Sequence, residues 1–344
     1  MTRKEMFDAT ENLIQSWLFG VEIEFTGITR KNSALIVCDV LQKVFPDDEV
    51  YAEKEYEKAN DIYKIYREVE GIKTLYFSVV HDGSVAPYKL SEGGYSLCSG
   101  KNVFKCELTT KKMTLEEIDL LVAVVDALKV GSKELNQRMV VGDTTSIHIH
   151  INGAELSLQA IKNICNNVFS KQTLLYHATG QSHDCIRYQY MQRLPEVLVS
   201  GLTHVKTMDE LRDCYYKSII GQRANPSLEV NKKYSKARYM ILSLCPLFDY
   251  RNYKSLEIRL FKATTDSSVI VSYILFVLKL VAYCSLIGRS TYRDLDAIDA
   301  EKYSNKYRMH CFLNKICCSG SKYKDVRKIF LENLEGYAAW RKEA

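Results

Sequence analysis

This chain of 344 residues lacks the marks of several large protein classes. Its eleven cysteines include no C-x-x-C pair and no metal-finger spacing, and Cys317 and Cys318 are simply adjacent. Reduced, mostly buried thiols in a cytoplasmic protein are therefore expected. Excess charge is lacking too: a net +5 is far below that of a dedicated nucleic-acid binder, so no nucleic-acid partner is expected. The mild positive balance still favours an anionic small ligand such as a nucleotide. The opening MTRKEMFDATENLIQ carries acidic residues and no apolar centre, so it does not read as a secretory signal and export is not expected. No internal repeat is present. One long apolar run exists, Val269 to Ile287, close to membrane-spanning length. Lys279 near its middle, the polar Ser272, Tyr273, Tyr283 and Ser285, and the capping residues Asp266-Ser267-Ser268 and Gly288 favour a buried core helix. No membrane association is expected.

What the chain has is material for a large core, with 47% apolar residues. Trp17 to Ile28, Asp61 to Val69, Ile72 to Val80, Phe104 to Thr109, Thr145 to Ile151 and Lys254 to Phe261 read as strands, several with period-two alternation. Thr114-Leu-Glu-Glu117 is a capping box that opens a helix striped by Ile118, Leu121, Val122, Val125 and Leu128 and ended by Gly131. Ser157 caps a second helix striped by Leu158, Ile161, Ile164, Val168 and Phe169. Strands come in adjacent pairs, so an α+β fold is expected: a mostly antiparallel sheet with helices packed on its back.

The polar residues of these strands fall on one side. Successive strand side chains alternate, so FGVEIEF sets Glu22 and Glu24 about 6.6 Å apart, opposite Phe19, Val21, Ile23 and Phe25. By the same rule FKCELTT sets Glu107 and Thr109 opposite Phe104, Cys106 and Leu108. SIHIHING sets His148, His150 and Asn152 opposite Ile147, Ile149 and Ile151, and SLEIRLF sets Glu257 and Arg259 opposite Leu256, Ile258 and Leu260. Two carboxylates at that spacing repel by about 2 to 3 kcal/mol at an effective dielectric near 20. A face carrying four of them calls for cations or protons. Oxygen-rich sets with one or two imidazoles suit Mg²⁺ or Mn²⁺, and a nearby arginine addresses phosphate.

GVEIEF at 20–25, DGS at 82–84, ELTT at 107–110, SIHIHING at 146–153 and SLEIRLF at 255–261 occur in the order and spacing of the amidoligase family, within the glutamine synthetase and glutamate-cysteine ligase superfamily. The resemblance covers about residues 18 to 290. It implies a glutamine synthetase-like fold, a curved antiparallel sheet whose concave face binds ATP and two or more divalent ions. It also implies that Glu22 shares one metal with His148 and Glu257, and that Glu24 and Glu107 hold a second. His150 resembles a nucleotide or substrate contact. Arg259 resembles the arginine that meets the transferred phosphoryl group, and Arg238 in ARYMILSL resembles the arginine before the last strand, although Leu242-Ser243 departs from the asparagine that often follows there. Asp82 has two readings, the base that deprotonates an incoming amine and the residue that holds the turn at Gly83.

The implied activity is ATP-dependent carboxylate-amine ligation, in which a phosphorylated carboxylate is attacked by an amine with release of ADP and phosphate. The substrates are expected to be a small-molecule, peptide or protein carboxylate and amine, and assembly into an oligomer is compatible with the superfamily. Two alternatives stand beside it: a metal-dependent hydrolase or phosphodiesterase using His148 and His150, and a non-catalytic relative that binds a nucleotide or protein. Residues 14–290 are expected to form the catalytic domain and 291–344 a C-terminal helical extension. The glycine-rich SEGGYSLCSGKN between Asp82 and Glu107 reads as a lid or as a plain long hairpin. Residues 192–236 match no motif, and Lys232, Lys233 and Lys236 read as a solvated face.

Overall fold

The computed structural model describes the chain except for residues 58–59, 92–93, 182–188, 233–234, 250–253, 291–301 and 340–344. Helices accompany an eight-stranded, mostly antiparallel sheet, which is the α+β class expected. The chain divides into two compact units, one of residues 18–148 and 262–271, the other of residues 1–17, 149–261 and 272–344.

The unit of residues 18–148 is built on strands β1 (Phe19–Phe25), β2 (Glu49–Glu57), β3 (Asn60–Val69), β4 (Ile72–His81) and β7 (Cys106–Thr110). They lie in the order β2-β3-β4-β7-β1 and every neighbour is antiparallel. The odd residues of β1, Phe19, Val21, Ile23 and Phe25, are buried with Ile65, Phe77, Val79, Cys106 and Leu108. On this apolar side α2 (Arg30–Val44) packs against β2, β3 and β4 through Ala34, Val37 and Leu41. Its N-cap Thr29 accepts a hydrogen bond from the Asn32 amide, which starts the helix straight after the strand. Arg30 is buried at the join. Its guanidinium donates to the carbonyls of Asp61 (2.6 Å), Lys105 (3.1 Å) and Asn102, so a charge in the interior meets three backbone acceptors. Gly27, at φ +82°, leaves no room for a side chain: a Cβ there would sit 2.4 Å from the Arg138 carbonyl oxygen.

Strand β2, EVYAEKEYE, has no apolar alternation and was not expected. It pairs along its whole length with β3, from Glu49 opposite Glu68 to Glu57 opposite Asn60. Ion pairs across the ladder hold it, Lys54 to Asp61 at 3.0 Å and Lys64 to Glu55 at 2.8 Å, with Lys73 reaching Glu53 from one strand further in. The segment after Asp82 is a hairpin of β5 (Tyr88–Ser91) and β6 (Gly94–Leu97). Its base is tied down where the Thr26 hydroxyl donates to the Tyr88 carbonyl at 3.2 Å and accepts from the Tyr88 amide at 2.7 Å. Helix α3 (Ile118–Val130) follows the expected capping box and ends at Gly131 as read from the sequence.

The other unit is mainly helical. Helix α4 (Leu158–Ala178) starts at Ser157, whose hydroxyl accepts from the Ala160 amide, and α9 (Ser267–Leu286) is the apolar segment singled out above. Among the described residues α9 alone is long and apolar enough to cross a membrane, and 67% of its most apolar window is buried in the protein. Asn163 of α4 closes the end of α9, its amide donating to the carbonyls of Cys284 (3.0 Å), Ile287 (3.2 Å) and Gly288 (2.9 Å). Lys279, fully buried, pairs with Glu11 of α1 (Arg3–Ser16) at 2.5 Å and donates to the Thr10 hydroxyl at 2.7 Å. Its ammonium also lies over the rings of Phe7 (4.6 Å) and Tyr323 (4.9 Å). Residues 192–236 contribute α5 (Glu196–Gly201), α6 (Met208–Ile220) and α7 (Pro226–Glu229), and two further helices span Asn305–Lys315 and Lys324–Glu332. Lys232 pairs with Glu229 at 2.5 Å and, like Lys236, is exposed as expected, while Lys233 lies outside the described residues. All ten described cysteines are free thiols and six are buried, Cys98, Cys106, Cys165, Cys284, Cys317 and Cys318.

Candidate functional site

The antiparallel register decides which carboxylates meet. Glu24 stands opposite Glu107 and Glu22 opposite Thr109 on adjacent strands, so the alternation read from each strand separately becomes one shared face. Asp82 joins them from the end of β4, where Val80 is paired with Glu107. Carboxylate oxygens of Glu24, Asp82 and Glu107 all lie within 4.8 Å of one another. At that separation each pair repels by about 3 to 4 kcal/mol at an effective dielectric near 20.

The first residues of β8 (Ser146–Asn152) hold the β1 glutamates in place. The Ser146 amide donates to Glu24 Oε2 at 2.9 Å, and the Ser146 hydroxyl lies 2.8 Å from His148 Nε2. His148 Nδ1 is 3.1 Å from Glu22 Oε2, and its Nε2 is 3.7 Å from Glu24 Oε1. The imidazole thus spans the two glutamates two residues apart on β1. Glu24 is 1% exposed and His148 3%, whereas Glu22, Asp82 and Glu107 are half-buried. Burial raises the free energy of keeping the Glu24 carboxylate charged.

Asp82 also does what its turn reading required. Its Oδ1 accepts from the Ser84 amide at 2.6 Å and from the Ser84 hydroxyl, which fixes the Asp82-Gly83-Ser84 bend. That bond orients the carboxylate that meets Glu24 and Glu107. The sequence reading proposed Asp82 as base or turn and did not group it with the two glutamates; the signal was its place directly after a strand adjoining that of Glu107. His81 just before it has its imidazole pushed below the usual range, first by burial and then by Arg30 and Lys105, against the opposing pull of Asp82 and Glu57.

In the other unit β10 (Ser255–Lys262) carries Glu257 and Arg259 side by side on one face, and the guanidinium bonds the carboxylate. Glu257 stands opposite Ser243 of β9 (Leu242–Ser243), and both charged residues are at least 95% buried. Arg259 Nε also donates to the Tyr190 carbonyl at 2.9 Å. His150 Nδ1 lies 3.2 Å from the Ser255 hydroxyl. Arg238, in the short helical turn Lys236–Tyr239, has its guanidinium 5.7 Å from the centre of the Tyr239 ring. The charged positions expected from the sequence are therefore grouped as Glu22, Glu24, Asp82, Glu107 and His148 in one unit, and His150, Arg238, Glu257 and Arg259 in the other.

The Glu24, Asp82 and Glu107 carboxylates form a group that could hold a metal ion. The family model described as "Putative amidoligase enzyme" matches residues 15–281, and the chain belongs to that family. No curated protein and no solved structure matches it.

Proposed function

We propose that the protein is an ATP-dependent carboxylate-amine ligase that works through an acyl phosphate. The observation that carries this reading is the convergence of Glu24, Asp82 and Glu107 oxygens within 4.8 Å in a chain of the amidoligase family. Three converging carboxylates, one of them fully buried, fit a hard divalent cation such as Mg²⁺ or Mn²⁺ that takes oxygen ligands. Such an ion supplies charge neutralisation for phosphate oxygens during phosphoryl transfer. Glu22 and His148 adjoin this set, and His148 holds the two β1 carboxylates in a fixed orientation. In this reading we take Glu257 as a further metal ligand, Arg259 and Arg238 as contacts of the phosphoryl group and His150 as a nucleotide or substrate contact, the roles that the sequence resemblance implies.

In the reaction an oxygen of the substrate carboxylate attacks the γ-phosphorus of ATP, the bond to the bridging oxygen breaks, and ADP leaves. Arginine at the transferred group stabilises its equatorial charge. The amine nitrogen of the second substrate then attacks the acyl carbon, the carbon–oxygen bond breaks, and phosphate departs as the nitrogen loses a proton. Asp82, tied to Ser84, serves the metal better than the proton in this scheme, because its oxygen is already directed at Glu24 and Glu107.

The test is hydroxylamine trapping. Purified protein with Mg²⁺, ATP, hydroxylamine and a panel of carboxylic acids should release ADP and form a hydroxamate with at least one acid, and Glu107→Gln should do neither. Turnover of phosphodiesters without ATP would instead assign the protein to the hydrolases.

A further inference from the structure

Arg259 sits among groups that the ligase reading leaves without a role. The Gln192 amide donates to the Tyr239 carbonyl at 2.6 Å, the Ile241 amide donates to the Gln192 carbonyl at 2.7 Å, and the Arg259 amide donates to the Ile241 carbonyl at 3.0 Å. These bonds lace three chain segments together at fixed register. Their side chains converge as a result. Tyr190 and Tyr239 meet edge to face with ring centres 5.4 Å apart and planes at 73°. Two guanidiniums flank the Tyr239 ring, Arg238 at 5.7 Å and Arg259 at 5.9 Å from its centre. Both tyrosines and Arg238 are half-buried, whereas Arg259 is 5% exposed.

We propose that Tyr239, braced by Tyr190, is the platform on which the purine base of the nucleotide stacks, with Arg238 and Arg259 addressing its phosphates. Aromatic rings next to paired guanidiniums match the two halves of one ligand class, a π-face and an anion. A phosphate-only ligand would use the arginines and leave the rings idle. Tyr215 and Tyr216 of the same unit, by contrast, form an enclosed pair, each at most 1% exposed. The Tyr190–Tyr239 pair keeps part of its surface open beside two cations. This inference rests on the ligase reading for the identity of the nucleotide, and it adds the residues that would distinguish ATP from its bare phosphate chain.

The experiment compares the binding of a non-hydrolysable ATP analogue and of inorganic tripolyphosphate, each with Mg²⁺, by isothermal titration of the full chain and of two variants. Tyr239→Leu removes the π-face with a large apolar side chain kept in place, and Tyr239→Phe retains the π-face. Loss of base stacking should weaken the analogue about 5- to 100-fold in Tyr239→Leu, with Tyr239→Phe within about twofold of the native chain. Tripolyphosphate should bind all three proteins equally. Unchanged nucleotide affinity in Tyr239→Leu overturns it and leaves the ligase reading standing. Equal weakening of both ligands overturns it as well, because the tyrosine would then act by holding the arginines. A native chain that binds neither ligand removes the ligase reading and the platform together.

Discussion

Two charge clusters, each built around one buried residue, differ in composition. Around Lys279, opposite charges are matched: Glu11 receives Lys279 and Lys322, each at 2.5 Å, and the Tyr323 hydroxyl as well. Around Glu24 three carboxylates with the same charge are drawn within 4.8 Å. The first cluster is complete with the chain's own residues and ties α1 to the core helix α9. The second brings like charges together, and a divalent cation would relieve their mutual repulsion. Burial of charge does not by itself mark function.

The comparison yields graded predictions. The largest effect is expected from Lys279→Ala, which empties a fully buried position and takes from the half-buried Glu11 its deepest partner, and should lower unfolding free energy by about 3 kcal/mol, read by urea titration. Replacing the pair together, Lys279→Met with Glu11→Leu, should cost far less, because the buried charges leave as a set. A double mutant as unstable as Lys279→Ala would show that the cluster does more than match charge.

Next in size, Glu107→Gln should stabilise the metal-free chain by about 1 to 2 kcal/mol, since it removes one like charge from a half-exposed position where solvent screens part of the repulsion. The same variant should lose the Mg²⁺-dependent rise in melting temperature. Destabilisation in the absence of metal would mean that Glu107 is a structural residue and would erase the contrast. Asn163→Ala should cost about 1 to 3 kcal/mol, as three carbonyls at the end of α9 lose their donor.

The smallest effect concerns pH. Burial pushes the Glu11 carboxyl upward, yet hydrogen bonds from Lys279, Lys322 and Tyr323 outweigh it, and its pKa lies below the ordinary value of 4.5. A carboxyl depressed in the folded state contributes stability that is complete above its unfolded pKa and is lost as pH falls through the folded one. Stability should therefore decline with acidification below about pH 4.5, and Glu11→Gln should flatten that part of the profile in a thermal-unfolding series. An unchanged acid limb would remove Glu11 from the account.

Much of this was legible in the chain because strand alternation is strict. Six strands, the Thr114 capping box and the alternation that sets Glu22, Glu24, Glu107, His148, Glu257 and Arg259 opposite the apolar residues of their own strands could be read from apolar periodicity alone. The strand β2 could not, because EVYAEKEYE has no apolar stripe and becomes a strand through ion pairs with Lys64 and Lys73 on other strands. Asp82 was seen as a motif residue, but its meeting with Glu24 depends on the order of β4, β7 and β1, a tertiary fact. Depth was illegible for the same reason: nothing in FGVEIEF distinguishes a Glu24 at 1% exposure from one in water.

The central claim is that the carboxylate cluster binds a divalent ion together with ATP. Thermal unfolding of the native chain and of Glu24→Gln, with Mg²⁺ and a non-hydrolysable ATP analogue added singly and together, tests it most directly. At about 100 times the dissociation constant the ligands should add roughly 2.7 kcal/mol to the native chain, only when both are present, and nothing to Glu24→Gln. A native chain whose stability ignores metal and nucleotide at every concentration, or a Glu24→Gln chain that responds as the native one does, would contradict it.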